Sequence, residues 1–110
     1  MLGLSGGDIY FYRDPVNMHK SFEGLSSLAE FAFPGKLLSG SYFVFINRRR
    51  NKMKVFHWAE GGFEIWYKRL EKGTFSINKD EKIKLTRREF FMVFEGIKPK
   101  RLNSRFSVKK

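Results

Sequence analysis

From Ser41 to Phe75 the chain runs through three segments dense in aromatic and β-branched residues, Tyr42 to Ile46, Met53 to Trp58 and Phe63 to Leu70. Such residues suit a pleated surface. Asn47 to Lys52 breaks the first from the second, and Ala59-Glu60-Gly61-Gly62 breaks the second from the third. Glycine reaches positive φ without steric cost, so the second break is a turn. Connections this short make neighbouring strands antiparallel, and the stretch predicts a three-stranded meander. The alternation sets Phe43 and Phe45 against Tyr42, Val44 and Ile46. It sets Met53, Val55 and His57 against Lys54, Phe56 and Trp58, and Phe63, Ile65, Tyr67 and Arg69 against Glu64, Trp66, Lys68 and Leu70. Both faces carry large apolar groups, so the sheet is expected to be covered on both sides or to meet a partner.

Period-two patterning also predicts a short strand at Asp8–Arg13, ended by Asp14-Pro15 because proline has no N–H for a ladder. Asn17 then reads as the N-cap of a helix in which Met18, Phe22, Leu25, Leu28, Ala29 and Ala32 form one apolar stripe. Gly24 weakens that helix and offers a close approach to the sheet. Pro34-Gly35 stops it. Further on, Thr74–Ile77 and Lys82–Leu85 are short strand candidates around a polar turn, Asn78–Glu81. Thr86-Arg87-Arg88-Glu89 matches a capping box, and Phe90, Phe91, Val93, Phe94 and Ile97 form the buried side of a second helix capped near Gly96. The fold class expected is α+β, an antiparallel meander sheet of about five or six short strands with two helices. It forms one domain over residues 1–97, with a basic tail over 98–110.

Charge changes the picture. The chain of 110 residues carries a formal +11. Residues 1–40 hold three bases and four acids, whereas residues 41–110 hold nineteen bases and seven acids. That asymmetry points to a polyanionic partner for the second part, nucleic acid before acidic membrane. The tail KPKRLNSRFSVKK adds six bases and no acid, and reads either as an arm that orders on a polyanion or as a frayed terminus. The absence of cysteine removes disulfides, thiolate zinc sites and cysteine nucleophiles, and fits a reducing cytoplasm. No apolar run approaches the ~18 residues of a membrane span, and the N-terminus lacks a signal-peptide pattern.

Catalytic chemistry is thin, and no cofactor or metal site is expected. His19 and His57 have no carboxylate or histidine at metal-ligand spacing, and the acids are scattered. Leu4-Ser5-Gly6-Gly7 has neither the spacing nor the following Lys-Ser/Thr of a phosphate loop. His57 reads first as a strand residue with its ring hydrogen-bonded. A small nuclease using His57 with Glu60 or Glu64 is the weakest of the functional readings. What stands out is basic and aromatic. Pairing Met53–Trp58 against Phe63–Leu70 brings Lys68 and Arg69 beside the start of the second strand of the meander. Arg48, Arg49, Arg50, Lys52 and Lys54 are therefore expected to share one phosphate-binding patch with Lys68, Arg69 and Lys72. Trp58 and Trp66 read as core residues before stacking platforms for an unpaired base.

Four blocks in order, FYRDPVNMHKSFEGLSSL, FVFINRRRNKMKVFHW, GGFEIWYKRLEKGTF and TRREFFMVFEGI, cover nearly the whole chain. In them the sequence resembles the TnpB accessory protein of the insertion sequence 66 family of bacterial transposable elements, which is distinct from the RNA-guided nuclease sharing the TnpB name. The matching motif positions are Lys20, Phe22, Gly24 and Leu25, then Arg48, Arg49, Lys54 and Trp58, then Lys68, Arg69, Leu70, Glu71, Gly73 and Phe75. Asn17 stands where the family commonly has aspartate and His19 where arginine is usual, which removes one fixed positive charge. The resemblance implies a non-catalytic role in transposition beside a separate, larger transposase. DNA and that transposase are the two partners expected, the first through the basic hairpin and the second through the aromatic sheet face.

Overall fold

The structure, a computed structural model, describes residues 6–76 and 83–95. In chain order its elements are β1 (Ile9–Phe11), α1 (Phe22–Ala32), β2 (Tyr42–Ile46), β3 (Lys52–Ala59), β4 (Gly62–Arg69), β5 (Lys84–Leu85) and α2 (Arg87–Phe94). The strands form one sheet in the order β4-β3-β2-β1-β5. The meander forms as its turns require. β2 and β3 pair antiparallel, as do β3 and β4, with Ala59 opposite Gly62 across a two-residue loop. Both loop residues, Glu60 and Gly61, have positive φ (45° and 86°), the combination that matches the twist of a tight hairpin.

The sheet as a whole is mixed, which corrects the expectation of a purely antiparallel one. β1 lies between β2 and β5, parallel to β2 (Ile9 opposite Tyr42, Phe11 opposite Val44) and antiparallel to β5 (Ile9 opposite Leu85). The reason is the connection. The meander strands are joined by short turns, but β1 reaches β2 through α1, and a helical crossover delivers the next strand in parallel. Hairpin rules extend only to strands joined by short loops. At the entrance to this pairing Gly7 (φ 106°) lies so close to the Gly40 carbonyl that a Cβ would collide with it. The glycine pair that lacks the spacing of a phosphate loop therefore ends in a backbone contact that glycine alone permits.

Each face of the sheet has its own core. On one face Phe43, Phe45 and Phe56 pack with Val16, Leu25 and Ala29, bringing α1 onto the sheet. On the other, Ile9, Phe11, Tyr42, Val44, Met53 and Val55 pack with Phe75, Leu85, Phe90 and Val93, bringing in α2. Alternation thus distributes the apolar side chains of β2 and β3 between two helices, and both faces are covered. The expected capping box opens α2: Glu89 N–H donates to Thr86 Oγ1 (3.1 Å), and Thr86 N–H donates to Glu89 Oε1 (2.8 Å).

α1 begins later than its apolar periodicity predicts. Asn17 does act as a cap, but on a turn of its own, accepting the His19 N–H at Oδ1 (2.7 Å) and the Lys20 N–H at its carbonyl (3.1 Å). The helix starts at Phe22, with Ser21 as N-cap and no side-chain capping bond. The Lys54 ammonium occupies the carbonyls of Met18 and Lys20, which a longer helix would need as acceptors. Gly24 does not bring helix and sheet together either. The space a Cβ would enter there is bounded by the Lys20 side chain at 3.2 Å. Thr74–Ser76 has no strand partner, although Phe75 is buried in the core. Ile77, the turn Asn78–Glu81, Lys82, the Gly96 cap and the basic tail lie outside the described residues.

Candidate nucleic-acid interface

The link between β2 and β3 is built by Asn47. Its Oδ1 accepts the N–H groups of Asn51 and Lys52 (3.0 Å each), and its Nδ2 donates to Asn51 Oδ1 (2.8 Å). Its carbonyl accepts the Arg50 N–H (3.0 Å), closing a β-turn over Arg48 and Arg49. Arg50 sits in the left-handed region (φ 63°), which costs a non-glycine residue about 1–2 kcal/mol. Long-range bonds hold it there. Arg50 Nε donates to the Phe75 carbonyl (3.1 Å), the Arg50 carbonyl accepts the Phe75 N–H (2.7 Å), and the Asn51 carbonyl accepts the Leu70 N–H (2.8 Å). The turn therefore turns Arg50 inward as a strut and leaves Arg48 and Arg49 exposed.

Beside this tip lies an open groove of about 650 Å³, lined by Pro15, Val16, Asn17, Met18 and His19 on one side and Asn47, Arg48, Arg49, Lys52 and Tyr67 on the other. Among the described residues three full cations and one histidine line it, and no carboxylate does. Among the described residues neither Arg48, Arg49 nor Lys52 forms an ion pair. One acid, Asp14, borders an adjoining cleft with Arg13, Arg48 and Arg50. Unpaired cations around an acid-free concavity make a region of positive potential for phosphate oxygens.

The wall formed by residues 15–19 is held to the sheet by Lys54. Lys54 as a whole residue is 7% exposed, and its ammonium donates to the carbonyls of Met18 (2.8 Å) and Lys20 (2.7 Å) while lying 4.8 Å from the centre of the Tyr67 ring. Burial holds its pKa below the ordinary 10.5. Lys54 is thus an internal brace, with its donors directed at the backbone of the wall.

The other cations expected in the patch separate by strand alternation. Lys52 and Arg69 are directly opposite across β3 and β4, as the expected register requires, so they share the α1 face. Arg69 Nε is paired with the exposed Glu71 carboxylate (2.9 Å). Lys68 points to the opposite face. There it donates to the Phe94 carbonyl (2.8 Å), lies 4.5 Å from the Phe94 ring centre and stands 3.8 Å from Glu95 Oε1, serving the C-terminal end of α2. Lys72 is exposed beyond the end of β4. The structure gathers Arg48, Arg49 and Lys52 in one groove, places Arg69 at the next register position, and commits Arg50, Lys54 and Lys68 to internal contacts.

Of the groove lining, sequence reasoning named only Arg48, Arg49 and Lys52 as site residues; Asn17, Met18, His19 and Tyr67 are among those it missed. The signal for Tyr67 was present, since the β3–β4 register sets it opposite Lys54, but register alone does not reveal exposure. Tyr67 is 54% exposed. Trp66 instead packs on the α2 side, with its Nε1 donating to Glu64 (3.0 Å), and Trp58 sets its edge against Phe63. His57 has the hydrogen-bonded ring that strand placement predicts. It is buried, stacked on Tyr42 at 3.8 Å, and its Nδ1 lies 3.2 Å from the Ser41 carbonyl, which fixes that nitrogen as the donor. With Glu60 and Glu64 it borders a second cleft of about 460 Å³. Among the described residues no cluster of three His, Cys, Asp or Glu side chains is placed to hold a metal ion.

A family model for IS66 Orf2-like proteins matches residues 7–104 of the chain. Comparisons with curated proteins and with solved structures gave no match.

Proposed function

The chain belongs to the family of IS66 Orf2-like proteins, and from that membership we propose that it is a non-catalytic accessory factor of insertion-sequence transposition that binds DNA through the groove at its basic hairpin. The observation that supports this reading most is the state of Arg48, Arg49 and Lys52. They are brought together beside one concavity and, among the described residues, carry no ion pair and face no carboxylate in its lining. Guanidinium forks match phosphate oxygens, and contacts of this kind give affinity without base sequence. Lys72 adds a positive charge past the end of β4, whereas the charge of Arg69 is paired with Glu71. Lys54 contributes as a brace for the groove wall, and Arg50 and Lys68 contribute by holding the loops around it.

The test is a salt titration of binding to duplex DNA. Each neutralised phosphate contributes about 0.9 to the slope of log affinity against log salt. The double substitution Arg48→Ala/Arg49→Ala is expected to lower that slope by about 1.8 while leaving thermal stability unchanged. An unchanged slope and affinity in the folded double variant would count against the hairpin as the DNA contact.

Docking of the separate transposase is the second reading, and the exposed apolar groups move it from the sheet to α1. The sheet aromatics Phe43, Phe45 and Phe56 are buried, whereas Phe22 and Phe31 of α1 and Leu38 beyond it are exposed. A pull-down with the transposase in which Phe31→Ser abolishes retention at unchanged DNA affinity would favour it.

A further inference from the structure

We propose that the groove receives an unpaired nucleotide, with its base stacked on the open face of Tyr67 and its flanking phosphates held by Arg48, Arg49 and Lys52, so that the protein prefers single-stranded or locally opened DNA to intact duplex. The inference rests on the DNA-binding reading above and names the form of DNA that this groove selects.

Tyr67 is a large aromatic group left more than half exposed inside a cationic groove. Among the described residues the other exposed large apolar side chains, Phe22, Phe31, Leu38 and Ile83, do not line that groove. The ring is also preorganised. Its backbone is paired within β4, and one face is covered by the Lys54 ammonium, which two carbonyls anchor. A ring held this way loses little freedom when a base stacks on its other face. Met18 lies across the groove and supplies a polarisable, adaptable wall for a flat ligand.

The discrimination follows from geometry. In a duplex both faces of each base are covered by its neighbours, so Tyr67 gains nothing there and only the phosphate contacts act. In a single strand the base faces are available, and a sequence-tolerant aromatic platform flanked by cations is the usual means of holding them. The two tryptophans lack this setting. Trp66 is packed against the α2 core, and Trp58 borders the cleft that contains Glu60 and Glu64, where phosphate would be repelled.

The experiment measures fluorescence anisotropy of the full chain with a single-stranded oligonucleotide and with a duplex of the same length at one salt concentration. It uses the wild type, Tyr67→Phe, Tyr67→Leu and Tyr67→Ala. The single strand is expected to bind about tenfold or more tightly than the duplex. Tyr67→Ala and Tyr67→Leu are expected to bring the ratio of single-strand to duplex affinity down to about one, and Tyr67→Phe to preserve it. Tyr67→Leu keeps an apolar cover over Lys54, so loss of preference there cannot be ascribed to an unfolded strand. Equal weakening of both DNA forms, or no preference in the wild type, overturns the proposal. Salt-dependent duplex binding that still needs Arg48 and Arg49 would then leave the DNA-binding reading standing. Failure of both DNA forms to bind at low salt would overturn both.

Discussion

Replacing Lys54 by methionine removes two charge-assisted hydrogen bonds, to the Met18 and Lys20 carbonyls, and one cation over an aromatic ring. Hydrogen bonds of this kind contribute about 1.5–3 kcal/mol each. Against that loss stands the release of an ammonium from a site where burial disfavours its charge. Methionine has nearly the same length and fills the space the lysine stem leaves, so the cavity term is small. Water can also reach part of the freed backbone, because Met18 is only half-buried and Lys20 is exposed. The balance is a net loss of about 2 kcal/mol, or about 8 °C in melting temperature for a domain of this size. Urea unfolding followed by tryptophan fluorescence measures it directly. Lys52→Met is the control, since Lys52 lies on the same strand and face but makes no ion pair and stands opposite the like charge of Arg69. It should change stability by no more than about 0.5 kcal/mol. Equal losses in the two variants, or full stability in Lys54→Met, would refute the role of Lys54 as the brace of residues 15–19.

The same side chain sets a pH dependence. Between the lowered pKa of Lys54 and 10.5 the unfolded chain keeps a proton that the folded chain has released, so this group's contribution to stability rises with pH across that window. Below the window both states are protonated and the folded state carries the full cost of the buried charge. The stability gap between wild type and Lys54→Met should therefore widen as pH is raised toward 10.5, and a gap that narrows would show the sign to be wrong. Asn47→Ala removes three hydrogen bonds from the hairpin tip and is expected to cost about 2 kcal/mol in a thermal melt, with weaker DNA binding as the Arg48–Arg49 turn loosens. Asn47→Asp keeps the acceptor oxygen but puts a carboxylate into the groove. It should remain folded and lose DNA affinity, and unchanged affinity would exclude Asn47 from the neighbourhood of the bound phosphates.

Much of this molecule is legible without coordinates because many of its rules are local. The period of two in β2, β3 and β4, the Glu60-Gly61 loop and the Thr86–Glu89 capping box each depend on residues a few positions apart, and each forms as patterned. Charge asymmetry and the RRR turn pointed to Arg48 and Arg49 for the same reason, since a β-turn exposes its central residues whatever lies around it. What tertiary structure alone decided is which face each side chain shares and with whom. Parallel pairing of β1 with β2 depends on a crossover through α1, and the late start of α1 depends on a lysine that follows it in the chain by more than thirty residues. The same competition sorted the cations. Lys54 and Lys68 have the same chemistry as Lys52, yet Lys54 found two backbone carbonyls and was buried, and Lys68 found the Phe94 carbonyl and stays only partly exposed. Burial and pairing are properties of the assembled neighbourhood, whereas periodicity is a property of the chain, and the exposure of Tyr67 belongs to the first kind.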